Sequence, residues 1–507
     1  MFALMFVRLF VRMFARLFVR LFVRIFARLS APSFPLSSVP SFGRMTASPR
    51  RLLFAAALLP ALAAAVAPPA ARAQSGAPVL PADPAAAADR VRDEFRHAWQ
   101  GYVRCAWGHD DLRPLSCTGA DWYGASLLMT PVDAFSTMKL MGLEEEALAA
   151  KDLILSELDF DRDLDVQLFE IDIRLLGGLL SAYQLDGDDR FLALATDLAD
   201  RLLPAFDSPT GMPYRYVNLR TGAVRDPLNN PAEIGTLLLE WGTLSRHTDN
   251  PVYWRKAKAA VMALAARRSA IGLPGTIIDV ETGAWTDREA ALGARVDSYY
   301  EYLLKGWLMF GDEDLHRLWD ESIVAIGTYL ADTSTGSLWY GQADMDTGER
   351  TGTRFGALEA FFPAVLALSG DLERAAALQR SCFRMWQIHG IEPEVIDYTT
   401  MEVLHEGYPL RPENIESAWY LLELTGDEGY RDMGRTYVES LIARCRTEVG
   451  YAHLASVRTG EQRDAMQSFF LAETLKYAWL LFAPRGTIDF ERTLFNTEAH
   501  PLRVWPE

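Results

Sequence analysis

The chain has 507 residues, of which 50% are apolar and 23% are charged, an ordinary mixture for a globular protein. Its formal charge is −17, but all 67 acidic residues follow residue 73 and ten arginines precede that point. The remainder therefore carries a formal charge of −27. Such a surface repels phosphate backbones, which excludes nucleic acid as a partner.

The first 44 residues are not expected to belong to the fold. They contain FVRLFVRMFARLFVRLFVRIFARL, with an arginine every four positions. On a helix this spacing drifts by about 40° per repeat, so no clean amphipathic face results. We interpret residues 1–44 as a spurious upstream extension, with a membrane-active helix as the alternative.

Residues 45–73 read as a secretory signal peptide. A start at Met45 is followed by an arginine pair, an apolar stretch over 52–67 and a small-x-small cleavage site ending at Ala73. A single membrane anchor is the alternative, against which the prolines of this stretch argue. We therefore expect a periplasmic or secreted protein, with residues 74–87 as a flexible segment ahead of the domain.

Four cysteines remain after the signal peptide: Cys105, Cys117, Cys382 and Cys445. Their spacing matches no zinc pattern. An exported protein matures in an oxidising compartment, which favours one disulfide, with Cys117 and Cys445 as the preferred pair. Four free thiols are the alternative.

From about residue 88 to 485, apolar residues recur at three- and four-residue spacing, which is typical of α-helices. Amphipathic segments such as DDRFLALATDLADRLLPAF alternate with more uniformly apolar ones such as SYYEYLLKGWLMFG. This alternation predicts an inner ring of helices inside an outer ring, a helical toroid. Roughly 400 residues at about 28 per helix give some fourteen helices, or seven pairs, in one domain from 88 to 507.

Ten sequence blocks follow one another along this domain: LRPLSC at 112, PVDAFSTMKLMGL at 131, FEIDIRLLGGLLSAY at 169, RLLPAF at 201, LLLEWGTLSR at 237, RVDSYYEYLLKG at 295, AFFPAVLALSGD at 360, YPLRPENIES at 408, SFFLAETLKYAWLLF at 468 and LFNTEAHP at 494. They resemble glycoside hydrolase family 47, the class I α-1,2-mannosidases and their endoplasmic-reticulum degradation-enhancing relatives, as an exported member of bacterial type. The resemblance implies an all-α (α/α)7 barrel. It also implies a calcium-dependent, inverting enzyme that removes terminal α-1,2-linked mannose from an oligosaccharide or a glycoprotein glycan. A monomer is expected.

Each uniformly apolar segment also brings an acidic residue, and the inner helices of a toroid converge at one end of its axis. Carboxylates that meet there need a proton, a cation or both. Glycoside hydrolysis uses one protonated carboxyl to protonate the leaving oxygen and one ionised carboxylate to activate water. The resemblance implies that Glu170 is the general acid, acting through a water, and that Glu413 is the general base. Asp297 would be a third essential carboxylate with a share in the acid role.

Glu170 is the second residue of the segment FEIDIR and lies four residues before Arg174, so both side chains are predicted to share a helix face. Arg174 could then hold Glu170 and also reach a sugar hydroxyl. Asp172 points elsewhere and is expected to be structural or solvated. The pair Gly177-Gly178 is expected to let another helix approach closely.

The block LFNTEAHP resembles the calcium signature of the family, although its spacing alone would indicate only a turn. The resemblance implies that Thr497 binds Ca2+ directly, through its backbone carbonyl and its hydroxyl. Calcium takes six to eight oxygen ligands, and two sugar hydroxyls can fill open places. The acids that would hold the waters of the metal are Glu416, Glu473 and Glu498. The side chains that would contact the sugar are Arg174, Glu233, Arg295, Arg411 and Phe469, the last by packing on its ring.

Four positions in three of the motifs depart from the family pattern. Gly356-Ala357 stands where many mannosidases have Asp-His, Ser136 stands where many have Asp, and Gln467 where many have Glu. These changes bear on substrate preference and catalytic efficiency more than on the type of reaction.

Two other functions remain open from the sequence. One is a mannose-glycan-binding protein of the degradation-enhancing type with weak or no hydrolase activity, against which the three retained carboxylates argue. The other is a different toroid enzyme, such as a sugar epimerase or a polysaccharide lyase. Those enzymes usually need histidine or tyrosine bases, and only eight histidines are scattered through this chain.

Overall fold

The computed structural model describes residues 80–505. The predicted upstream extension and signal peptide lie outside the described residues. Among residues 80–505, no helix is both long and apolar enough to cross a membrane.

The helices are of two kinds, as their sequences predict. Asp188 caps the amphipathic helix over 189–202 by accepting the amide of Arg190, and Phe191, Ala195 and Leu198 form its buried stripe. The helix over 297–310 is buried on nearly all sides. A helix that is apolar all round is stable only inside other helices, so the second kind forms the inner ring.

Within residues 80–505, seven outer helical segments alternate with seven inner ones, and the predicted (α/α)7 barrel is confirmed. The outer helices are α1 (Pro84–Cys105), α3 (Glu144–Glu157), α6 (Asp189–Leu202), α9 (Val252–Ala265), α11 (Glu313–Ala325), α13 (Leu372–Gln387) and α15 (Gly429–Arg444). The inner segments are α2 (Met129–Met141), α4 and α5 (Leu168–Ile171 and Gly177–Asp186, joined by a π-helical turn Asp172–Leu176), α7 and α8 (Pro231–Gly235 and Leu238–Thr248), α10 (Asp297–Phe310), α12 (Phe362–Leu368, after a 3-10 turn Leu358–Phe361), α14 (Glu413–Thr425) and α16 (Leu475–Leu480, after a π-helical turn Phe470–Thr474). A 3-10 turn, Leu203–Phe206, and a π-helical turn, Ile326–Leu330, extend α6 and α11.

Short antiparallel strands of two to four residues connect the outer helices to the inner ones. They therefore lie at the end of the barrel where the inner helices begin. The paired strands are β1 (Asp111–Arg113) with β2 (Thr118–Ala120); β3 (Asp165–Gln167), β4 (Tyr216–Asn218) and β5 (Val224–Arg225); β6 (Leu228–Asn229), β7 (Ile277–Asp279) and β8 (Trp285–Asp287); β9 (Glu289–Ala290), β12 (Gln342–Asp344) and β13 (Arg350–Gly352); β10 (Ala331–Asp332) with β11 (Trp339–Tyr340); β14 (Arg354–Gly356), β15 (Val395–Asp397) and β16 (Glu402–His405); and β17 (His453–Ser456) with β18 (Glu461–Arg463).

Six of these connecting loops end in the same five-residue turn, which was not predicted from the sequence. The first residue of the turn is Asn, Asp or Ser, and its side chain accepts a hydrogen bond from a backbone amide two or three residues later. The fourth residue is Thr, and the fifth has a positive φ. Met401, at φ 60°, occupies the position that glycine fills in the other five. The tips are 218–222, 279–283, 332–336, 344–348, 397–401 and 456–460.

The last hairpin differs from all others because it follows an inner helix. β19 (Thr493–Phe495) pairs with β20 (Pro501–Arg503) in the register Thr493↔Arg503. The hairpin enters the barrel from the end where the inner helices finish and packs on α5 and α8. Its tip, 496–500, therefore reaches the barrel interior.

The glycine pair of α5 accepts this hairpin. A Cβ on Gly177 would lie 2.6 Å from Nδ2 of Asn496, and one on Gly178 would lie 2.6 Å from Val132 of α2. The expected close approach of a helix is thus found at Gly178, whereas at Gly177 the neighbour is the hairpin tip.

The start of the domain differs from the expected boundary at 88. Helix α1 begins at Pro84, and the amide of Leu80 donates to Glu439 at 3.0 Å while its carbonyl accepts from Arg435. Leu80 is buried. The described part of the segment that we expected to be flexible, 80–87, is therefore packed against α15.

The predicted disulfide between Cys117 and Cys445 is wrong. Cys105, at the end of α1, is linked to Cys117 in the β1–β2 hairpin, with a Cα–Cα distance of 4.9 Å. Cys445 ends α15 and is a buried free thiol, as is Cys382. The hairpin folds back over the last turn of α1, and this brings the near cysteine, not the distant one, to Cys117.

Candidate active site

A cavity of about 390 Å³ opens where the inner helices begin, a volume typical of small-ligand sites. All twelve side chains predicted to act in catalysis, sugar binding or metal binding line it: Glu170, Arg174, Glu233, Arg295, Asp297, Arg411, Glu413, Glu416, Phe469, Glu473, Thr497 and Glu498. All inner segments except α2 contribute residues at or near their starts, since helices that converge on one axis bring their starts together. The predicted convergence of Glu170, Asp297 and Glu413 near Thr497 is thus observed.

Arg174 pairs with two carboxylates at one side of the cavity. Its Nη2 lies 2.9 Å from Oε2 of Glu170, and its Nη1 contacts Glu498 and approaches Asp133 at 3.6 Å. The guanidinium also lies 5.0 Å from the centre of the Trp122 ring. These contacts fix Glu170 in place, as the four-residue spacing predicted.

Asp297 and Glu413 are the first residues of α10 and α14, and both are partly buried at the cavity wall. Burial raises the pKa of Asp297 to about 7, and the charges of Glu359 and Glu301 add to the rise. Burial also raises the pKa of Glu413 to about 7, against the opposite effect of Arg411. Carboxyls with a pKa near neutrality can either hold or take up a proton, as acid–base catalysis requires.

One oxygen of Glu413 has no hydrogen-bond partner. Its Oε2 is buried and unpartnered, while its Oε1 lies 3.9 Å from Arg411. Arg411 itself donates to Glu394 at 2.6 Å, which orients its guanidinium. A buried oxygen without a donor is costly, and a bound water or a sugar hydroxyl would satisfy it.

The remaining walls are polar on one side and aromatic on the other. Arg215 donates to Glu233 at 2.9 Å, and Asn230 caps α7 by accepting the amide of Glu233 at 3.0 Å. Arg295 has φ 78°, an uncommon value for a residue with a side chain, and its guanidinium is about half exposed at the mouth. Phe469 faces Arg174, whose guanidinium lies 5.8 Å from the ring centre.

Thr497 lies in the hairpin tip at the floor of the cavity, where its amide donates to the hydroxyl of Tyr302 at 3.2 Å. The three acids predicted to act with it line the same cavity. Burial, reinforced by the neighbouring carboxylates, raises the pKa of Glu473 well above its usual range, and burial raises that of Glu416 to about 8. Burial likewise raises the pKa of Glu498, although Arg174 opposes the rise.

The charge balance of the lining fits a cation. Eight carboxyl groups and three guanidinium groups line the cavity. Among residues 80–505, no group of three acidic, histidine or cysteine side chains is arranged to ligate a metal directly. Thr497 and the acids of the lining could hold a hard cation through its waters, since carboxylates accept hydrogen bonds from metal-bound water.

Several lining residues were not predicted from the sequence. Asn230 is one of them, although with the predicted Glu233 it forms the Asn-x-x-Glu pattern of a helix start. Glu301, paired with Lys305 on α10, follows Asp297 by four residues on the same helix, so the helical spacing could have found it. Trp122 comes from the irregular segment after β2, and no sequence pattern indicated it.

Two of the departures from the family pattern have structural reasons. A Cβ on Gly356 would lie 2.8 Å from the carboxylate of Glu359, which also accepts the amide of Gly356 at 3.0 Å. A larger residue therefore cannot stand at 356 while Glu359 keeps this position. Ser136 accepts a hydrogen bond from the buried amine of Lys476 at 2.9 Å. Gln467 lines the cavity beside Phe469.

Asp172 points away from the cavity, as predicted, but it is fully buried rather than solvated. Its Oδ1 accepts the indole N–H of Trp241 at 2.8 Å. Of the two expectations for this residue, the structural one is confirmed.

Comparison with known proteins gives consistent similarities. The family model described as glycosyl hydrolase family 47 matches residues 94–504. Alpha-mannosidase I MNS4 of Arabidopsis thaliana is 40% identical over 440 residues, which cover 83% of this chain and 70% of that protein. ER degradation-enhancing alpha-mannosidase-like protein 2 of Mus musculus is 38% identical over 457 residues, which cover 83% of this chain and 78% of that protein. The solved structure of an alpha-1,2-mannosidase from Trichoderma reesei is similar with a TM-score of 0.77 and 27% identity, over 82% of this chain and 99% of that one.

Proposed function

Because this chain belongs to glycosyl hydrolase family 47 and is a glycosidase, we propose that it hydrolyses terminal α-1,2-linked mannose in glycans with inversion at the anomeric carbon. One observation carries the proposal: Glu170, Asp297 and Glu413 line the same cavity as Thr497. The substrate would be a mannose-containing oligosaccharide or a glycoprotein glycan.

Glu413 is the general base of the proposed reaction. Its unpartnered Oε2 can accept a hydrogen bond from a water in the cavity, and its pKa of about 7 suits a group that takes a proton near neutral pH. The water attacks the anomeric carbon while its proton passes to Glu413, and the bond from that carbon to the glycosidic oxygen breaks. Inversion requires room for this water between the base and the sugar.

Glu170 is the general acid, acting through a water, and delivers a proton to the departing oxygen. One hydrogen bond and one ion-pair contact from Arg174, both to Oε2, fix its carboxyl group in the cavity wall. Asp297 is the competitor for this role, because a pKa of about 7 lets it carry a proton at neutral pH. Arg295, Arg411, Glu233 and Phe469 would position the sugar from the walls of the cavity.

Calcium is the proposed metal. Thr497 would bind it directly, and Glu416, Glu473 and Glu498 would hold its waters. The ion would supply positive charge for sugar hydroxyls and favour the ionised forms of the surrounding carboxyls. The excess of carboxyl over guanidinium groups in the lining supports this assignment.

Export to the periplasm or the medium is also part of the proposal. Residues 45–73 have the pattern of a secretory signal peptide. The bond between Cys105 and Cys117 supports maturation in an oxidising compartment.

One experiment tests the activity. The purified protein is incubated with α-1,2-mannobiose, with and without a chelator, and the anomer first formed is followed by NMR. An inverting α-mannosidase releases β-mannose first. Binding of the disaccharide without release would instead favour a mannose-glycan-binding protein, the alternative that the similarity to a degradation-enhancing relative keeps open.

A further inference from the structure

Two carboxyl groups lie against each other behind the catalytic cavity, and the proposed mechanism uses neither. Asp172 belongs to the π-helical turn after α4, and Glu240 belongs to α8. Both side chains are fully buried, and their carboxyl groups are in hydrogen-bonding contact. Within residues 80–505, no lysine or arginine is among the groups that most strongly shift the pKa of Asp172 or of Glu240. Two ionised carboxylates in this place would repel each other without compensation.

The hydrogen bonds around the pair leave a place for one proton. Asp172 Oδ1 accepts from Trp241 at 2.8 Å, and Glu240 Oε1 accepts from Tyr302 at 2.7 Å and from Asn496 at 2.8 Å. The other oxygens, Asp172 Oδ2 and Glu240 Oε2, are buried and have no donor. A single proton between these two oxygens satisfies both, because a carboxylic acid donates a short, strong hydrogen bond to a carboxylate.

The same pair is connected to the tip of the β19–β20 hairpin. Asn496 donates to Glu240 and to the carbonyl of Ile173 at 3.0 Å, which turns its side-chain oxygen toward the tip. That oxygen accepts the amides of Glu498 at 3.0 Å and His500 at 2.7 Å. On the other side, Tyr302 donates to Glu240 and accepts the amide of Thr497.

We propose that Asp172 and Glu240 share one buried proton, and that this acid–carboxylate pair positions the hairpin tip that carries Thr497. Glu240 accepts hydrogen bonds from Asn496 and Tyr302, two of the groups that hold the tip, so its position affects theirs. Asp172 and Glu240 are positioning residues, because neither lines the cavity. The consequence for calcium binding at Thr497 rests on the proposed function, whereas the shared proton and the position of the tip do not.

The electrostatic surroundings agree with this arrangement. Burial and the charge of Glu240 raise the pKa of Asp172 well above its usual range, and burial raises that of Glu240 to about 7, with Glu301 adding to the rise. Apart from the pair itself, the titratable groups that act on it most strongly are Glu301 and Tyr302, both on α10.

The proposal predicts a particular pH dependence. The folded chain holds a proton that the unfolded chain releases at about pH 4, the ordinary range of a carboxyl. The pair therefore contributes its full stability below that pH and loses it as the pH rises through the raised pKa at which the shared proton leaves.

The first test measures unfolding of the metal-free full chain by denaturant between pH 5 and pH 9. Asp172→Asn keeps the shape and can donate its amide to an ionised Glu240, so this variant needs no shared proton. We expect the proton uptake linked to folding near pH 6 to be smaller by about one proton in Asp172→Asn than in the wild type. Glu402→Gln, at an exposed strand, is the control and should behave as the wild type. Equal proton uptake in Asp172→Asn and the wild type would overturn the shared proton.

The second test follows amide hydrogen exchange in residues 493–503 of the same metal-free protein. Asp172→Ala removes the partner of Glu240 and should speed exchange at the hairpin tip roughly tenfold, while Asp172→Asn should leave it near the wild-type rate. Equal exchange in all three proteins would overturn the positioning role.

Calcium titration of the wild type, run in parallel, separates this inference from the proposed function. Absence of calcium binding would contradict the metal assignment alone, since neither the proton uptake nor the exchange rates depend on the ion. Should Asp172→Ala fail to fold, Asp172→Ser serves in its place, because its shorter side chain also removes the carboxyl partner of Glu240.

Discussion

Arg174 pairs with Glu170 at 2.9 Å, although a π-helical turn begins between them. The π-helical turn widens the backbone but keeps the two side chains on the cavity side. Helices with such a turn are frequent at functional sites. The second inner segment that carries site residues in this way is Phe470–Thr474, which includes Glu473. In both cases the turn directs a charged side chain toward the cavity while the rest of the helix stays apolar.

Replacing Glu413 by Gln should abolish turnover while substrate binding survives. The amide keeps the shape of the side chain but cannot take a proton from water, and loss of a general base costs about 10²–10⁴ in rate. Steady-state kinetics on α-1,2-mannobiose and calorimetric binding of the disaccharide would measure the two effects. Glu402→Gln is the matched control, because Glu402 is exposed on β16. Near-normal turnover in Glu413→Gln would remove this residue from the role of base.

Chelation should inactivate the enzyme, and calcium should restore it. Calcium at about 100 times its Kd should also stabilise the fold by about 2.7 kcal/mol, because only the folded chain offers the site. Thr497→Val removes the hydroxyl ligand and should weaken calcium binding in calorimetry, whereas Thr328→Val on the exposed face should not. Full activity of protein shown to be free of metal would contradict the assignment.

The role of Glu170 can be separated from that of Asp297 by the choice of leaving group. A dinitrophenyl group departs without protonation, so it needs little help from an acid. Glu170→Gln should therefore lose far more rate on a mannose disaccharide than on a dinitrophenyl mannoside. Asp297→Asn, measured on the same two substrates, is the comparison. Asp297 is the acid if Glu170→Gln loses the same factor in rate on both substrates while Asp297→Asn loses far more rate on the disaccharide.

The disulfide can be tested without assaying activity. Peptide mapping under non-reducing conditions should recover Cys105 linked to Cys117, with Cys382 and Cys445 alkylated only after unfolding. The link spans 12 residues, so replacing both cysteines by serine should lower the free energy of unfolding by about 3 kcal/mol. A peptide that joins Cys117 to Cys445 would refute this pairing.

Much of the site was predictable because its signals are local. The pairing of Glu170 with Arg174 follows from helical spacing, and the start of α7 follows from Asn230 and Glu233. The alternation of apolar and amphipathic helices determined the double ring, since a helix that is apolar all round must be enclosed. The acids at the starts of inner segments were found in the same way, and the resemblance gave them roles.

Other features depended on which distant elements face each other. Three contacts illustrate this, and each is made between residues on separate elements. They are the bond of Cys117 to Cys105, the burial of Asp172 against Glu240 and the hydrogen bond of Thr497 to Tyr302 at the cavity floor. Periodicity says which face of a helix is buried, but it does not say what lies opposite that face. The sequence by itself therefore determined the helices, the ring and the carboxylates that enter it. Only the tertiary structure decided which cysteine, which carboxyl and which hairpin tip meet, because those contacts are set by packing across the barrel.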